Sequence, residues 1–373
     1  MKIGFDAKRL YNNFTGLGNY SRTTIDILTE YVPQNQYILY SPSLTENHVT
    51  TPYLHHKLCK TITPSGLLKG SLWRTVGLSA AGHHDEIDLF HGLSNEIPFG
   101  LSSHNIPSVV TIHDVAFKTF PDMYHWHDRI IYHQKWNYAC KHANRIIAIS
   151  ESTKKDIIRF YNVPEEKISV VYQPVNQTYY TPSENIQATD STPYMLYVGS
   201  VNSRKNLLGI VRAMEQVPSD LQIPLTIVGN GGTYKHKVEE YIEMHQMTHL
   251  FKWVSAIDSA QLQQLYANAA VFLYPSFYEG FGLPVVEALL SCCPVITSNI
   301  SSLPEAGGPS TLYVNPYDVE DIRNSIVNVL TDTTLRNKMT HDGYQYAMNK
   351  FHPETLAHQL SEVYKKTINE YNN

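Results

Sequence analysis

Short apolar, β-rich runs alternate with helix-length amphipathic runs twice along the chain, and no other feature constrains its fold as tightly. The first series runs through Lys2–Asp6 (KIGFD), Tyr20–Val32, Gln36–Ser41 (QYILYS), Ile87–Gly92 (IDLFHG), Ser108–Asp114 (SVVTIHD), the long stretch Tyr124–His142 and Arg145–Ser150 (RIIAIS). The second runs through Tyr194–Ser200 (YMLYVGS), Leu207–Val217, Leu225–Gly231 (LTIVGNG), Lys235–Met244, Phe251–Ile257, Ala260–Ala269, Ala270–Ser276 (AVFLYPS), a helix opening near Pro284, and Pro294–Asn299 (PVITSN). Strands joined through helices run parallel, because a crossover rather than a hairpin connects them. Each series therefore predicts a parallel sheet covered by helices, and the chain reads as two α/β domains. Between them, Asn176–Pro193 (NQTYYTPSENIQATDSTP) is polar and rich in Thr, Ser and Pro, the composition of an exposed linker. The boundary is expected near residues 176–192. Beyond Phe351, the apolar Leu356, Leu360, Val363 and Ile368 fall near helical spacing and predict a terminal helix.

Composition closes off several classes of function. A formal charge of -5 over 373 residues leaves no cationic footprint for nucleic acid. Charges at Lys2, Asp6, Lys8 and Arg9 break up any signal-peptide core, and no run approaches the roughly 18 apolar residues of a membrane span. A cytoplasmic protein is the expectation. Cys59, Cys140, Cys292 and Cys293 form no C-x-x-C pair, so reduced, packed thiols are expected. The stretch His125–His133 holds no histidine pair at i, i+4 spacing and no D-x-D occurs anywhere, so no metal site is expected.

Open α/β sheets bind ligands beyond the carboxyl ends of their strands, and unusual residues collect there. After the first strand, Ala7–Ser21 (AKRLYNNFTGLGNYS) places Gly16 and Gly18 just before the helix expected from Tyr20. Backbone N–H groups at a helix start suit a phosphate; a turn that needs positive φ at glycine is the plainer alternative. A dinucleotide fingerprint fits poorly, since Ser21 stands where a third glycine belongs. His113 and Asp114 close the run SVVTIHD, where His113 either meets a substrate hydroxyl or satisfies a nearby loop. In the second half, Gly199 and Ser200 follow a strand, Arg204 and Lys205 directly precede a helix, and Gly229 follows the next strand. Two cations beside a helix N-terminus suit a diphosphate, with a solvated charge pair as the alternative. Tyr124, Trp126 and Trp136 lie in an aromatic stretch that offers a carbohydrate-stacking or membrane-interface surface, or else core packing. Leu67, Leu68, Leu72 and Trp73 beside Lys69 and Arg74 are a further candidate for peripheral membrane contact.

Phe277–Ser291 reads FYEGFGLPVVEALLS. Pro284 suits a first helical turn, and Val286, Leu289 and Leu290 recur at helical spacing. The preceding AVFLYPS reads as a strand buried on both faces, so Gly280, Phe281 and Gly282 form a tight strand-to-helix turn with bare backbone N–H groups. Glu279 stands before this turn and Glu287 about one helical turn beyond it. A carboxylate in the first position accepts hydrogen bonds from sugar hydroxyls, and one in the second holds a ribose diol. A surface acid and a helix-dipole acid are the alternative, which leaves the constrained turn unexplained.

In this order and spacing, GLGN, HD, GSVNSRKN, EGFGLPVVE and PEAGG resemble the GT4 family of retaining glycosyltransferases, in its mannosyltransferase-like subgroup. The likeness spans nearly the whole chain, and the E-x7-E pair, Glu279 and Glu287, is its most specific element. The resemblance implies the α/β GT-B fold, with two Rossmann-like domains facing an interdomain cleft. Residues 1–180 would hold the acceptor, residues 190–350 the nucleotide sugar, and residues 351–373 would cross back to the first domain as a helix. It implies catalytic roles for His113 and Glu279 at the donor sugar and for Arg204 and Lys205 at the phosphates. Gly16, Gly18, Gly199, Ser200, Gly229, Gly280, Phe281, Gly282 and Leu283 would contact the donor, Glu287 its ribose, and Asp114, Tyr124 and Trp126 would lie on the acceptor side. At Ser200 many members have arginine, in a G-R-L pattern, whereas here the arginine is Arg204, beside Lys205.

The implied reaction moves a hexosyl group, without metal or cofactor, from a nucleoside diphosphate sugar, GDP-mannose ahead of a UDP-hexose. The implied acceptor is a saccharide or lipid-linked saccharide, in surface polysaccharide synthesis at the inner face of the membrane. A sugar-nucleotide epimerase or phosphorylase on the same scaffold is one rival reading, and a non-catalytic nucleotide-sugar-binding protein is another.

Overall fold

The computed structural model describes residues 1–65, 69–181, 193–255 and 257–373. These form two compact units, Met1–Pro174 with Pro353–Asn373, and Val175–His352. The sheet of the first unit contains β1 (Lys2–Asp6), β2 (Gln36–Tyr40), β3 (Cys59–Ile62), β4 (Leu89–Gly92), β5 (Ser108–Ile112), β6 (Arg145–Ala148) and β7 (Ile168–Val170), in the order β3-β2-β1-β4-β5-β6-β7. The sheet of the second contains β8 (Met195–Val198), β9 (Leu225–Val228), β10 (Phe251–Val254), β11 (Val271–Tyr274), β12 (Val295–Ser298) and β13 (Leu312–Val314), in the order β10-β9-β8-β11-β12-β13. All neighbouring strands pair in parallel. The alternation of runs predicts these two parallel sheets, and both units are Rossmann-like, as the resemblance implies.

The strand order reverses between β1 and β4 in one sheet and between β8 and β11 in the other. Connections diverge at such a point and leave a crevice outside the carboxyl ends of the two strands. β8 and β11 are buried along their whole length, which makes their carboxyl ends a firm platform.

Two local departures from the sequence reading have physical causes. The first long helix, Gly16–Tyr31, begins at Gly16 rather than at Tyr20. There the Asn13 side chain accepts hydrogen bonds from the N–H groups of Thr15 (3.0 Å) and Gly18 (3.1 Å), which offsets the poor helix propensity of glycine. Trp73 and Arg74 do not offer a membrane surface, because both are buried. Trp73 packs with Ile38, Tyr40 and Phe90, and Arg74 donates to Asp6 and Glu96, each at 2.7 Å, so its charge finds partners inward. Leu72 beside them is 57% exposed. Leu67 and Leu68 lie outside the described residues, as do positions 182–192 of the linker.

The terminal helix, Pro353–Asn372, belongs to the first unit. Its Leu356, Leu360 and Tyr364 enter one core with Phe5, Ile25 and Leu28. Each buried leucine contributes roughly 2 kcal/mol of transfer free energy. The Tyr364 hydroxyl meets His91 Nδ1 at 2.8 Å, and Arg145 donates to Glu370. Among the described residues no helix is long and apolar enough to cross a membrane.

Candidate active site

The reversal in the second sheet brings together two loops more than seventy positions apart. β8 and β11 are direct neighbours, with Leu196 opposite Phe272, so the loops leaving their carboxyl ends run side by side. Gly199, at φ +148°, ends β8, and its N–H donates to Val228 at 2.9 Å. Gly229, at φ +157°, ends β9 so close by that a Cβ on it would lie 1.9 Å from the Gly199 carbonyl oxygen. Both conformations favour glycine. We expect Gly229→Ala to cost roughly 1 to 3 kcal/mol through backbone strain, read as a lower urea midpoint at unchanged m-value.

Past the exposed Ser200, Ser203–Lys205 makes a single 3-10 turn, and Asn206 takes the left-handed conformation at φ +56°. The Asn206 amide donates to Pro275 O (3.1 Å) and Pro316 O (2.8 Å), while Phe277 N–H donates to Arg204 O (2.8 Å). The cation-bearing loop is thereby stitched to the loop that carries Glu279.

Glu279 is only 8% exposed, and its charge is met on both oxygens. Arg204 Nη1 lies 2.9 Å from Oε2 and Lys205 Nζ 2.7 Å from Oε1. The Tyr274 hydroxyl donates to Oε1 at 3.2 Å and accepts from Lys205 Nζ, and Arg204 also donates to Tyr278 O. Burial pushes the Glu279 carboxyl up, but Lys205 and Arg204 more than reverse this and hold it at about 2. Its backbone is fixed as tightly. The Ser301 hydroxyl accepts from Glu279 N (2.9 Å) and donates to Glu279 O (2.6 Å), and Ser302 donates to both Glu279 O (2.8 Å) and Phe281 O (2.7 Å). The three residues read separately from the sequence thus form one ionic cluster.

Gly282, at φ +116°, opens the helix Leu283–Leu290, with a proline in its first turn. Phe281 is 2% exposed and meets the Phe351 ring edge-on at 5.4 Å between centroids, so it anchors the turn by packing. Gly280 and Leu283 are half-buried beside it. Glu287, also half-buried, accepts from the Tyr266 hydroxyl at 3.2 Å. Burial raises its carboxyl to about 7, with the Tyr266 hydrogen bond opposing. The two glutamates therefore have different partners and opposite protonation tendencies.

In the first unit the picture differs. Gly18 is needed because a Cβ there would sit 1.7 Å from Asn13 O, whereas one on Gly16 would meet nothing within 4 Å. His113 is buried against Tyr20, edge-on at 4.6 Å. Its Nε2 lies 2.8 Å from Leu93 O, so this nitrogen carries the proton, and Nδ1 accepts from the Gln173 amide at 3.0 Å. Both ring nitrogens thus have partners within the chain, and burial holds the imidazole neutral by lowering its pKa. Asp114 accepts from Ala116 N (2.9 Å) and shapes the turn after β5. Tyr124 packs against Phe117 and Tyr132, whereas Trp126 is 71% exposed at the start of the helix Trp126–His142.

Tyr274, Asn206, Ser301 and Ser302 escape the sequence reading. The Asn of RKN and the Ser-Ser pair following a strand are visible as turn-forming types, but their partners are not.

Residues 23–179 match the model of Glycosyltransferase Family 4, and residues 182–346 that of Glycosyl transferases group 1. The chain is 31% identical over 287 residues to the O-antigen chain mannosyltransferase B of Escherichia coli, covering 74% of each protein. It is 30% identical over 230 residues to the O-antigen chain mannosyltransferase RfbU of Salmonella typhimurium, covering 61% of this chain and 63% of that protein. Among solved structures, the sucrose-phosphate synthase of Thermosynechococcus elongatus superposes with a TM-score of 0.80 at 21% identity, over 98% of each chain. Anabaena HepE in complex with UDP-glucose gives 0.75 at 19% identity, over 98% of this chain and 100% of that one. Those two likenesses speak for the fold. The identity to the Escherichia coli protein over most of both chains, with the two family models, makes this chain a member of glycosyltransferase family 4, with the GT-B fold and mannosyltransferases among its relatives.

Proposed function

We propose that the chain is a metal-independent, retaining hexosyltransferase that moves a mannosyl group from GDP-mannose to a saccharide or lipid-linked saccharide acceptor in surface polysaccharide synthesis. The buried Arg204–Glu279–Lys205 cluster carries this reading. Two cations against one carboxylate leave a net positive charge at the carboxyl end of β8 and β11. Negative charge grows on the diphosphate as the glycosidic bond breaks. Arg204, Lys205, the glycine turns and the N-terminus of the helix Leu283–Leu290 stabilise that charge. Glu279 accepts hydrogen bonds from the sugar hydroxyls and Glu287 from the ribose diol. In a retaining transfer of this kind the departing phosphate takes the acceptor proton on the same face, and no side-chain base is assigned. The donor belongs to residues 190–350 and the acceptor to residues 1–180.

Mannosyl transfer is favoured by the names of the O-antigen relatives, and a UDP-hexose is the second reading, favoured by the UDP-glucose complex of HepE. Thermal unfolding with GDP and with UDP separates them, because a ligand that binds only the folded state raises the melting temperature. Turnover of a donor panel, with the anomeric configuration of the product read by NMR, then tests the reaction. Stabilisation by UDP alone moves the donor to a UDP-hexose, and an inverted product removes retention. Because side-chain cations and backbone dipoles meet the phosphate charge, activity is expected to survive EDTA. A loss restored only by Mg²⁺ or Mn²⁺ overturns the metal-free mechanism.

The acceptor reading brings a cytoplasmic protein to the inner face of the membrane. Trp126 and Ile130, exposed by 71% and 49%, fall at i and i+4 on the helix Trp126–His142, with the exposed Arg129 between them. Such a surface suits peripheral contact with an anionic bilayer. Co-sedimentation with phosphatidylglycerol vesicles is expected to fall several-fold in a Trp126→Ser, Ile130→Ser variant, and unchanged binding removes this contact.

A further inference from the structure

We propose that Tyr274 is a positioning residue for the transfer, its hydroxyl holding the Glu279 carboxylate in place when Lys205 turns to the donor. The proposal rests on the glycosyltransfer reading given above. Tyr274 is the last residue of β11 and is fully buried. Its carbonyl accepts from Thr297 Oγ1 at 2.7 Å, and its ring stacks on Phe272 at 5.6 Å between centroids. Gly199 closes over it, since a Cβ there would lie 3.7 Å from Tyr274 Cε2. The ring has nowhere to go, so the direction of the hydroxyl is set by the strand.

That hydroxyl completes a triangle with Lys205 Nζ and Glu279 Oε1. Lys205 donates to Tyr274, Tyr274 donates to Oε1 at 3.2 Å, and Lys205 meets Oε1 directly at 2.7 Å. Burial and the neighbouring Glu279 carboxylate both keep the phenol protonated, so toward Oε1 it acts as a donor. The same ammonium stands 4.8 Å from the ring centroid. A phenylalanine would preserve the apolar packing, and a buried hydroxyl without a partner is costly. What the hydroxyl adds is therefore polar and local.

Its consequence appears when a diphosphate competes for Lys205. Lysine is a point charge on a flexible stem and follows the phosphate. Oε1 would then lose the ammonium that meets it and the carboxylate would be free to rotate about its last torsion. With Tyr274 in place Oε1 keeps a donor, Oε2 keeps Arg204, and the carboxylate stays aimed for the sugar hydroxyls.

The test compares wild type with Tyr274→Phe, Glu279→Gln and the double variant. Tyr274→Phe is expected to lower kcat by about tenfold to a hundredfold, with donor KM and GDP or UDP affinity within about threefold of wild type. In the ligand-free protein, the melting-temperature losses of Tyr274→Phe and Glu279→Gln are expected to be non-additive, as for two groups in contact. Unchanged kcat in Tyr274→Phe, a loss confined to KM, or additive melting losses overturns the role. A wild type inert toward every sugar nucleotide overturns the transferase reading and this role with it, whereas an active wild type beside an equally active Tyr274→Phe overturns only the role.

Discussion

Glu279→Gln is expected to lower donor turnover by roughly a thousandfold without weakening nucleotide binding. The substitution keeps the shape of the side chain but removes the charge that Arg204 and Lys205 face. Two buried cations without a counter-charge cost roughly 3 to 5 kcal/mol of stability. The pH dependence follows from the position of the carboxyl, at about 2 in the folded chain against an ordinary 4.5. A folded-state value below the unfolded one stabilises above pH 4.5, and that contribution is lost as pH falls toward 2. The loss amounts to roughly 3 kcal/mol for a shift of this size. Wild type and Glu279→Gln are therefore expected to converge in stability at low pH and diverge at neutral pH. A diphosphate supplies the missing negative charge, so GDP or UDP should raise the melting temperature of the variant more than that of wild type. Urea melts at pH 7 and pH 3, with and without nucleotide, check both statements; a stability gap that ignores pH contradicts the ionic account.

Glu287→Gln is expected to behave in the opposite way. Its carboxyl, raised to about 7 by burial, holds a proton in the folded chain between pH 4.5 and 7 that the unfolded chain has released. Stability conferred by the protonated form is present below pH 4.5 and is lost as pH rises through 7. At pH 8 the glutamine variant should accordingly be more stable than wild type. Binding runs against this trend. An ionised carboxylate accepts from a ribose diol more strongly than an amide, so the variant should bind GDP and UDP about tenfold to a hundredfold more weakly. Wild-type affinity should also rise between pH 6 and pH 8, and that of the variant should stay flat. Calorimetric titrations at the two pH values decide it, and equal affinities return Glu287 to a packing role. Weaker binding by the more stable variant makes Glu287 a site where a function is held at the expense of stability.

The parts of this molecule that were legible in the sequence are those set by local pattern. The buried strands announce themselves as runs such as AVFLYPS and PVITSN, and the turn EGFGLP declares a strand ending and a helix beginning. The edge strands β3, β7 and β13 were not legible, because CKTI, ISV and LYV are too short and mixed to stand out from loops. The helix start at Gly16 was hidden by two glycines and depends on an asparagine side chain three residues earlier. For the site, residue types and loops could be read but not partners. Arg204 and Lys205 suggested a phosphate, and Glu279 a sugar. That the three meet follows from β8 lying beside β11, and strand order is a property of the whole sheet. Tyr274 was invisible for a related reason: in a strand buried on both faces, nothing local says which side chain points toward the charges. At His113 the sequence left two readings open, and the partners its two nitrogens find, Leu93 and Gln173, come from other loops that no local pattern names.

The return of Pro353–Asn373 to the first unit bears on how the chain is made. During synthesis β1 to β7 leave the ribosome before any of the second unit, yet their core still lacks Leu356, Leu360 and Tyr364. Val175–His352, by contrast, is a single uninterrupted run and has all its partners as soon as it emerges. Domains usually fold in the order in which they are translated. Here the half made first is the half finished last, and its apolar sheet face stays open to chaperones, or to another nascent chain, until the final helix is released.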